Sequence, residues 1–283
     1  MKSQTLNTLF SLTALVLFHF CLVSRADEPV QPTDEQLAAA IKAFAPLEGR
    51  VEKITEPETK QSFSLFRLPS ATTDDDLKRI PAVPFAFGLD LLRAKVTDDG
   101  LRELTRCKNI VWLRLDSTLV TDAGMKELVK FERLMVFDVG ATKVTDAGVK
   151  YIAECPNLTT LYIGATRITD SGLKQLIALP KLKVLNVELS TVSDVGMAEV
   201  AKLSNLTSLT LSASKVSDAG MKDVARLKNL TSLFVNSTHL SDAGLRELVN
   251  LKELGELDIR WTKVSNEGAA EFRRARPKCV IQR

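Results

Sequence analysis

The sequence predicts an α/β solenoid, a horseshoe with a parallel sheet on its concave face and short helices on its convex face. Three observations predict it. First, a phrase Thr/Ser-Asp-x-Gly returns every 24 residues, at Thr97, Thr121, Thr145, Thr169, Ser193, Ser217 and Ser241. It decays downstream to Ser265-Asn266-Glu267-Gly268, and Thr73-Asp74-Asp75-Asp76 is a degenerate copy upstream. A fixed period in this range marks a stacked array, in which each unit buries its apolar face against its neighbours. Second, each unit carries an alternating pair such as Leu161-x-Ile163, the spacing of a strand with both side chains inward. Third, Leu173, Leu176 and Ile177 follow at helical spacing, and the pattern predicts that all three face the same interior.

The elements follow in chain order. Lys2 precedes an apolar run over residues 9–23, and Ser24-Arg25-Ala26 sets small residues around a cleavage point. That is the layout of a secretory signal peptide over residues 1–26, cut near Ala26. A run of about 15 residues is short of the ~20 that span a bilayer as a helix. The mature chain is therefore expected to be exported, periplasmic or extracellular, without membrane insertion. An uncleaved anchor is the alternative. Phe18-His19-Phe20 lacks the small residues that precede a lipoprotein cysteine, so Cys21 does not make a lipoprotein of it.

Residues 27–72 read as an amino-terminal cap. Thr33-Asp34-Glu35-Gln36 is a capping box, which starts a helix. Leu37, Ile41 and Phe44 are expected to form its apolar face, and Pro46 with Gly49 ends it. Residues 50–55 and 62–68 alternate on either side of Glu56-Pro57-Glu58-Thr59, the pattern of a hairpin. Residues 73–283 are the repeat array with its carboxy-terminal end, where Ile281 falls on the first strand position of a further register.

Within a unit, Thr169 is positioned to cap a short helix, and Asp170 stands in its first turn where the dipole favours an anion. Gly172 is expected to let that helix lie close to the strand layer. Thr118, Thr142, Thr166 and Thr262 share the slot after the strand and can bond the turn backbone. The resulting Leu-x-x-Leu-x-Leu-x-x-Thr-x-Val-Thr-Asp-x-Gly pattern resembles the 24-residue leucine-rich repeats of bacteria, close to the GALA type. The resemblance spans about residues 73–281. With its export signal and cap, the chain is also similar to secreted leucine-rich-repeat proteins of planctomycete-like bacteria. The resemblance implies a protein partner. F-box substrate receptors use related repeats, but residues 27–72 carry no F-box, which makes an adaptor of that kind the less favoured reading.

Composition excludes several classes. The formal charge is +3, and removal of Lys2 and Arg25 with the signal leaves +1, too little to attract nucleic acid or anionic lipid in bulk. Cys107 and Cys155 occupy the same slot two repeats apart. That is roughly 9–10 Å at the spacing of stacked strands, beyond the reach of a disulfide. With Cys279 they read as small core hydrophobes. His239 is the one histidine of the mature chain and stands in a surface slot. No cysteines cluster at ligand spacing, so no metal or cofactor site is predicted. The repeated aspartates all stand at helix starts, where capping explains them. No catalytic residue is predicted, and the chain reads as a non-enzyme. Lys95, Lys143, Arg167, Lys215 and Lys263 share one slot, three residues before the aspartate position of the phrase (Asn266 after Lys263), and are expected to be neutralised locally.

The variable positions lie between and after the strand leucines and point to the concave face. One row runs Asp90, Arg114, Asp138, Tyr162, Asn186, Thr210, Phe234, Asp258; the row two residues later runs Leu92, Asp116, Gly140, Gly164, Glu188, Ser212, Asn236, Arg260. Trp112, Arg114, Tyr162, Phe234, Asn236, Arg260 and Trp261 are the candidate partner-binding residues, because aromatics and arginine dominate interface energies. Asp90, Arg114 and Asp138 are expected to form a charge ladder that satisfies itself. Phe234, Asn236, Arg260 and Trp261, with only Asp258 as an internal partner, are therefore the favoured group. Gly140, Gly164, Ala165, Ser212 and Ala213 read as a floor of little relief. The function expected is binding of another protein through this face. The alternative is a structural or envelope-assembly component.

Overall fold

The computed structural model describes residues 31–55 and 60–283; the expected signal segment lies outside them. One 11-stranded sheet runs in chain order from β1 to β11. Strands β1 (Arg50–Thr55) and β2 (Ser62–Arg67) form an antiparallel hairpin in the register Arg50–Arg67 to Thr55–Ser62. From β2 onwards every pairing is parallel. The strands are β3 (Phe87–Asp90), β4 (Ile110–Arg114), β5 (Val136–Asp138), β6 (Thr160–Tyr162), β7 (Val184–Asn186), β8 (Ser208–Thr210), β9 (Ser232–Phe234), β10 (Glu256–Asp258) and β11 (Val280–Gln282). Ile281 pairs with Leu257 as the register predicts.

Helix α1 (Asp34–Phe44) starts at the Thr33/Gln36 capping box. Phe44 is fully buried and stacks on Phe66 with ring centroids 4.1 Å apart. That contact docks the helix on the hairpin and on Phe87 of the first parallel strand. Its buried stripe is Ala40 and Phe44 with Leu37 alongside, whereas Ile41 is 40% exposed. The sequence reading placed Ile41 inside. The small Ala40, not the larger Ile41, faces the hairpin.

The remaining helices are α2 (Asp74–Leu77), α3 (Asp98–Leu104), α4 (Asp122–Met125), α5 (Asp146–Ile152), α6 (Asp170–Leu173), α7 (Asp194–Val200), α8 (Asp218–Val224), α9 (Asp242–Glu247) and α10 (Asn266–Ala275). One continuous core runs beneath them from Ala40 to Cys279 and includes Leu161, Ile163, Leu173 and Leu176. Ile177 departs from expectation, being 39% exposed. After Leu173 the chain tightens into a 3₁₀ turn over Lys174–Ala178. Three residues per turn keep Leu173 and Leu176 in line and swing Ile177 outward. Cys107, Cys155 and Cys279 are buried free thiols, and burial pushes Cys155 up to about 12.

The repeated phrase does more than cap. Each Thr or Ser from Thr97 to Ser241 accepts from the N–H two residues on, as Thr169 does from Ser171 at 3.3 Å, and Ser265 accepts from Gly268 three residues on. Each aspartate reaches into the next repeat. Asp146 accepts from the Thr169 N–H at 2.7 Å and from its hydroxyl at 2.6 Å. The same two-bond clamp joins Asp74 to Thr97, Asp98 to Thr121 and Asp122 to Thr145. It continues through Asp170–Ser193, Asp194–Ser217, Asp218–Ser241 and Asp242–Ser265. The glycine follows from the clamp. A Cβ on Gly172 would lie 2.4 Å from Asp146 Oδ1, so the residue leaves room for the neighbour's carboxylate. The same Cβ would also meet the buried Ile168 Cγ2 at 2.8 Å, so the clamp adds to the close packing expected from sequence.

Further ties cross between repeats. Thr118, Thr142, Thr166 and Thr262 each donate to the carbonyl three residues back, at 2.6–2.7 Å, as predicted. Asn157, Asn205 and Asn229, which the sequence marks as formal glycosylation sequons, each donate Nδ2 to a carbonyl of the preceding repeat at 2.8–2.9 Å. Just past the strands, Arg93, Ser117, Ala141, Ala165, Leu189, Ala213, Ser237 and Trp261 all adopt left-handed backbone, with φ from 50° to 59°. None is glycine, so each carries a local cost. Offsetting it, each of these N–H groups from Arg93 to Ser237 donates to a carbonyl of the next repeat, as Ala165 does to Glu188 at 2.7 Å.

Candidate functional site

Among the described residues the concave face is the uncovered side of the sheet, and the strand ends set its side chains in register. Arg67, Asp90, Arg114, Asp138, Tyr162 and Asn186 are direct neighbours across β2 to β7. The expected charge ladder is present and longer than the sequence indicated. Glu52 meets Arg67 at 3.3 Å, Arg67 meets Asp90 at 2.9 Å, and Arg114 lies 3.8 Å from Asp90 and 3.1 Å from Asp138. Asp90 and Asp138 also accept from the N–H two residues on, at 2.9 and 3.1 Å, closing turns that end their strands.

The structure brings Trp112, Arg114 and Tyr162 together around one cleft of about 440 Å³. Gly140 and Gly164 form its base, with Asp116, Asp138, Glu188 and Leu189 among its walls. The floor of little relief is therefore corrected at this end of the face. Two glycines between taller neighbours make a depression. Asp116, Glu188 and Leu189 are lining residues that the sequence reading did not select. The signal was available in the second concave row, where Gly140 and Gly164 stand between Asp116 and Glu188. Trp112 is half-buried and packs edge-on to Phe63, centroids 5.5 Å apart. It belongs in part to a small cluster on this face with Phe63, Ala86 and Val111.

Phe234, Asn236, Arg260 and Trp261 do not line that cleft. They lie at and just beyond β9 and β10. Arg260 is held by Asp258 through two bonds, Nε to Oδ1 at 2.9 Å and Nη2 to Oδ2 at 2.6 Å. Its guanidinium also sits 5.3 Å from the centre of the Trp261 ring. Asn236 Oδ1 is engaged by the Ser212 hydroxyl at 2.5 Å, a partner that the sequence reading did not foresee. Trp261 is 74% exposed.

The carboxylates of the two groups differ electrostatically. Burial drives Asp138 up to about 6, aided by the Asp116 charge and opposed by the Gly140 N–H and Arg114. Burial also pushes Asp258 upward, but the Arg260 side chain and N–H outweigh it and leave this carboxyl below its ordinary value. Lys95, Lys143, Arg167, Lys215, His239 and Lys263 are exposed along the edge of the array. The expected neutralisation by nearby aspartates is not what the structure holds, because Asp98, Asp146, Asp170 and Asp218 clamp the following repeat. Among the described residues no group of three His, Cys, Asp or Glu side chains could hold a metal ion. No helix among them is long and apolar enough to cross a membrane.

The comparisons fall on the same architecture. A leucine-rich-repeat family model matches residues 154–176. No curated protein sequence matches the chain. Among solved structures, an internalin from Listeria monocytogenes is similar with a TM-score of 0.56 and 22% identity over 69% of this chain. The match covers 53% of that internalin, so the chain spans about half its length. Internalin C2 of the same organism gives a TM-score of 0.56 and 22% identity, covering 90% of this chain and 98% of the other. These likenesses concern the fold. With the 24-residue period, the in-register parallel strands and the stacked helix starts, they identify the array as a leucine-rich-repeat solenoid.

Proposed function

We propose that this chain is an exported, non-enzymatic protein that binds another protein on its concave sheet, built from bacterial 24-residue repeats of the GALA-like type. The observation that carries the reading is the bare face itself. A parallel sheet is ordinarily covered on both sides; here helices cover one side, and the other bears a cleft walled by Trp112 and Tyr162. The scaffold positions repeat while the face positions vary, as in solenoids that use the concave surface for recognition. Export rests on the sequence layout of residues 1–26 alone, and the mature protein isolated from its host should begin near Asp27.

The test of the interaction face is amide exchange. A protein retained by the intact chain from an exported-protein extract should slow exchange in β4 to β7 or in β9 and β10. Tyr162→Ala or the pair Phe234→Ala with Trp261→Ala should weaken retention at unchanged melting temperature. Protection confined to the helices would sink the reading. Self-association in sedimentation with no retained partner would favour an assembly component instead.

A further inference from the structure

The ladder on the concave face stops one charge short. From Glu52 through Arg67, Asp90 and Arg114 to Asp138, acids and arginines alternate at contact distances of 2.9–3.8 Å. The next strand position in that row is Tyr162, where the alternation calls for a cation. Three acids thus share two arginines. Asp116 and Glu188 lie one row further on and add negative charge to the same cleft. Asp116 Oδ1 accepts from the Ser117 hydroxyl at 2.6 Å, a neutral partner. Glu188 lines the same cleft, with no lysine or arginine paired to its carboxylate among the described residues. Gly140 and Gly164 leave open the space where side chains would otherwise stand. Trp112 and Tyr162 flank it and offer aromatic faces, which attract cations.

We infer that the cleft receives a lysine or arginine side chain of the protein partner, seated between Trp112 and Tyr162 against Asp138, Asp116 and Glu188 as the missing rung of the ladder. The inference rests on the interaction-face reading above and supplies its chemistry: the partner presents a basic side chain to this end of the sheet. An acidic or purely apolar segment does not fit, because it would bury Asp116 and Glu188 with no cation beside them and leave Asp138 only its share of Arg114. Recognition should also depend on pH. The charged groups facing Asp138 are Arg114 and Asp116 on the β4 side, with Tyr162 on β6 and Glu188 beyond. Asp138 holds its proton up to about pH 6, so acidification below that value removes one of the attracting charges and weakens cation binding.

The test uses the intact chain and two glycine-serine peptides, one with a central arginine and one with citrulline, which keeps the shape and loses the charge. Binding is followed by chemical-shift changes in β4 to β7. The arginine peptide should bind about tenfold more tightly at pH 7, and that preference should shrink at pH 5. The double variant Asp116→Asn with Glu188→Gln should lose the preference at unchanged melting temperature. Equal affinity for the two peptides overturns the inference, as does a preference that survives in the double variant. A captured partner that protects the concave strands yet binds the double variant as well as the parent would also overturn it while leaving the interaction face standing. Failure of every partner to protect those strands would instead remove the interaction face, and the peptide comparison would still decide the cation site.

Discussion

Two ladders of aspartates run along this solenoid, and they behave differently. At the helix starts, each aspartate from Asp74 to Asp242 finds a Thr or Ser of the next repeat and makes the same two bonds every time. On the concave face, Asp90 and Asp138 are served by arginines instead, and the series ends at Tyr162. The first ladder is finished at every rung and holds neighbours at a fixed spacing. The second satisfies one stretch of the face and leaves an excess of acid beside a cleft. Identical side chains are scaffold where the period supplies their partner, and available for recognition where it does not.

The comparison is sharpened most by Arg114→Met, which removes the cation between Asp90 and Asp138. Leaving a mostly buried acid short of its partner should cost roughly 2–4 kcal/mol at pH 7. The loss should shrink towards pH 5 as Asp138 takes up a proton. Urea unfolding at both values checks it, and a cost that does not vary with pH would show the ladder to be decorative.

Next comes Gly172→Ala. Alanine is the better helix former by about 1 kcal/mol, so with free space the change would stabilise. With Asp146 Oδ1 2.4 Å from the added carbon, it should instead cost about 1–3 kcal/mol through overpacking and a broken clamp. Gly255→Ala, whose nearest atom is Thr231 O at 3.7 Å, should be close to neutral. Repeating Gly172→Ala in an Asp146→Ala background should recover most of the loss. No recovery would detach the glycine from the clamp.

Asp138→Asn is a smaller and pH-dependent change. The folded state raises this carboxyl to about 6, so its contribution favours folding at low pH and is lost as pH rises from about 4 to about 6. The asparagine variant should therefore gain on the parent across that window, by roughly 1–2 kcal/mol once the lost pairing with Arg114 is set against the about 3 kcal/mol that linkage alone implies. Asp242 runs the other way. The Ser265 hydroxyl and N–H hold its carboxyl below the ordinary value, so its contribution is present above the unfolded carboxylate range and fades on acidification. Parallel unfolding series at pH 3, 4.5, 5.5 and 7 would separate the two signs, since Asp242 acts below about 4 and Asp138 between about 4 and 6.

The smallest effect is expected at a single clamp. Asp170→Ala removes two bonds to Ser193 at a partly exposed edge and should cost about 1 kcal/mol. The coupling measured in a double-mutant cycle with Ser193→Ala should account for most of it. Independent effects of the two substitutions would deny the inter-repeat role.

Much of this molecule was legible beforehand. The period gave the stacked array, Leu161 and Ile163 gave the inward strand positions, and the capping box at Thr33 gave the start of α1. Arg114 beside Asp90 and Asp138 followed from counting across registers. These features are local or strictly periodic, so sequence spacing carries them. Other features escaped it. Ile177 faces outward because the turn tightens, and Ile41 because the buried stripe of α1 runs through Leu37, Ala40 and Phe44.

By itself, then, the sequence determined the solenoid, its register, and which positions would form a varied face. The tertiary structure decided what the repeated phrase is for and where that face is hollow. The aspartate clamp pairs residues 23 apart, such as Asp146 with Thr169, and from sequence alone a helix-start aspartate is already explained by its own helix. The cleft at Gly140 and Gly164 depends on side chains from four repeats converging around an absence of side chain. Helix capping and strand alternation act within a few residues and are written in the local pattern. Clamps and clefts come from the distance between stacked repeats, which becomes definite only when the chain has folded back on itself.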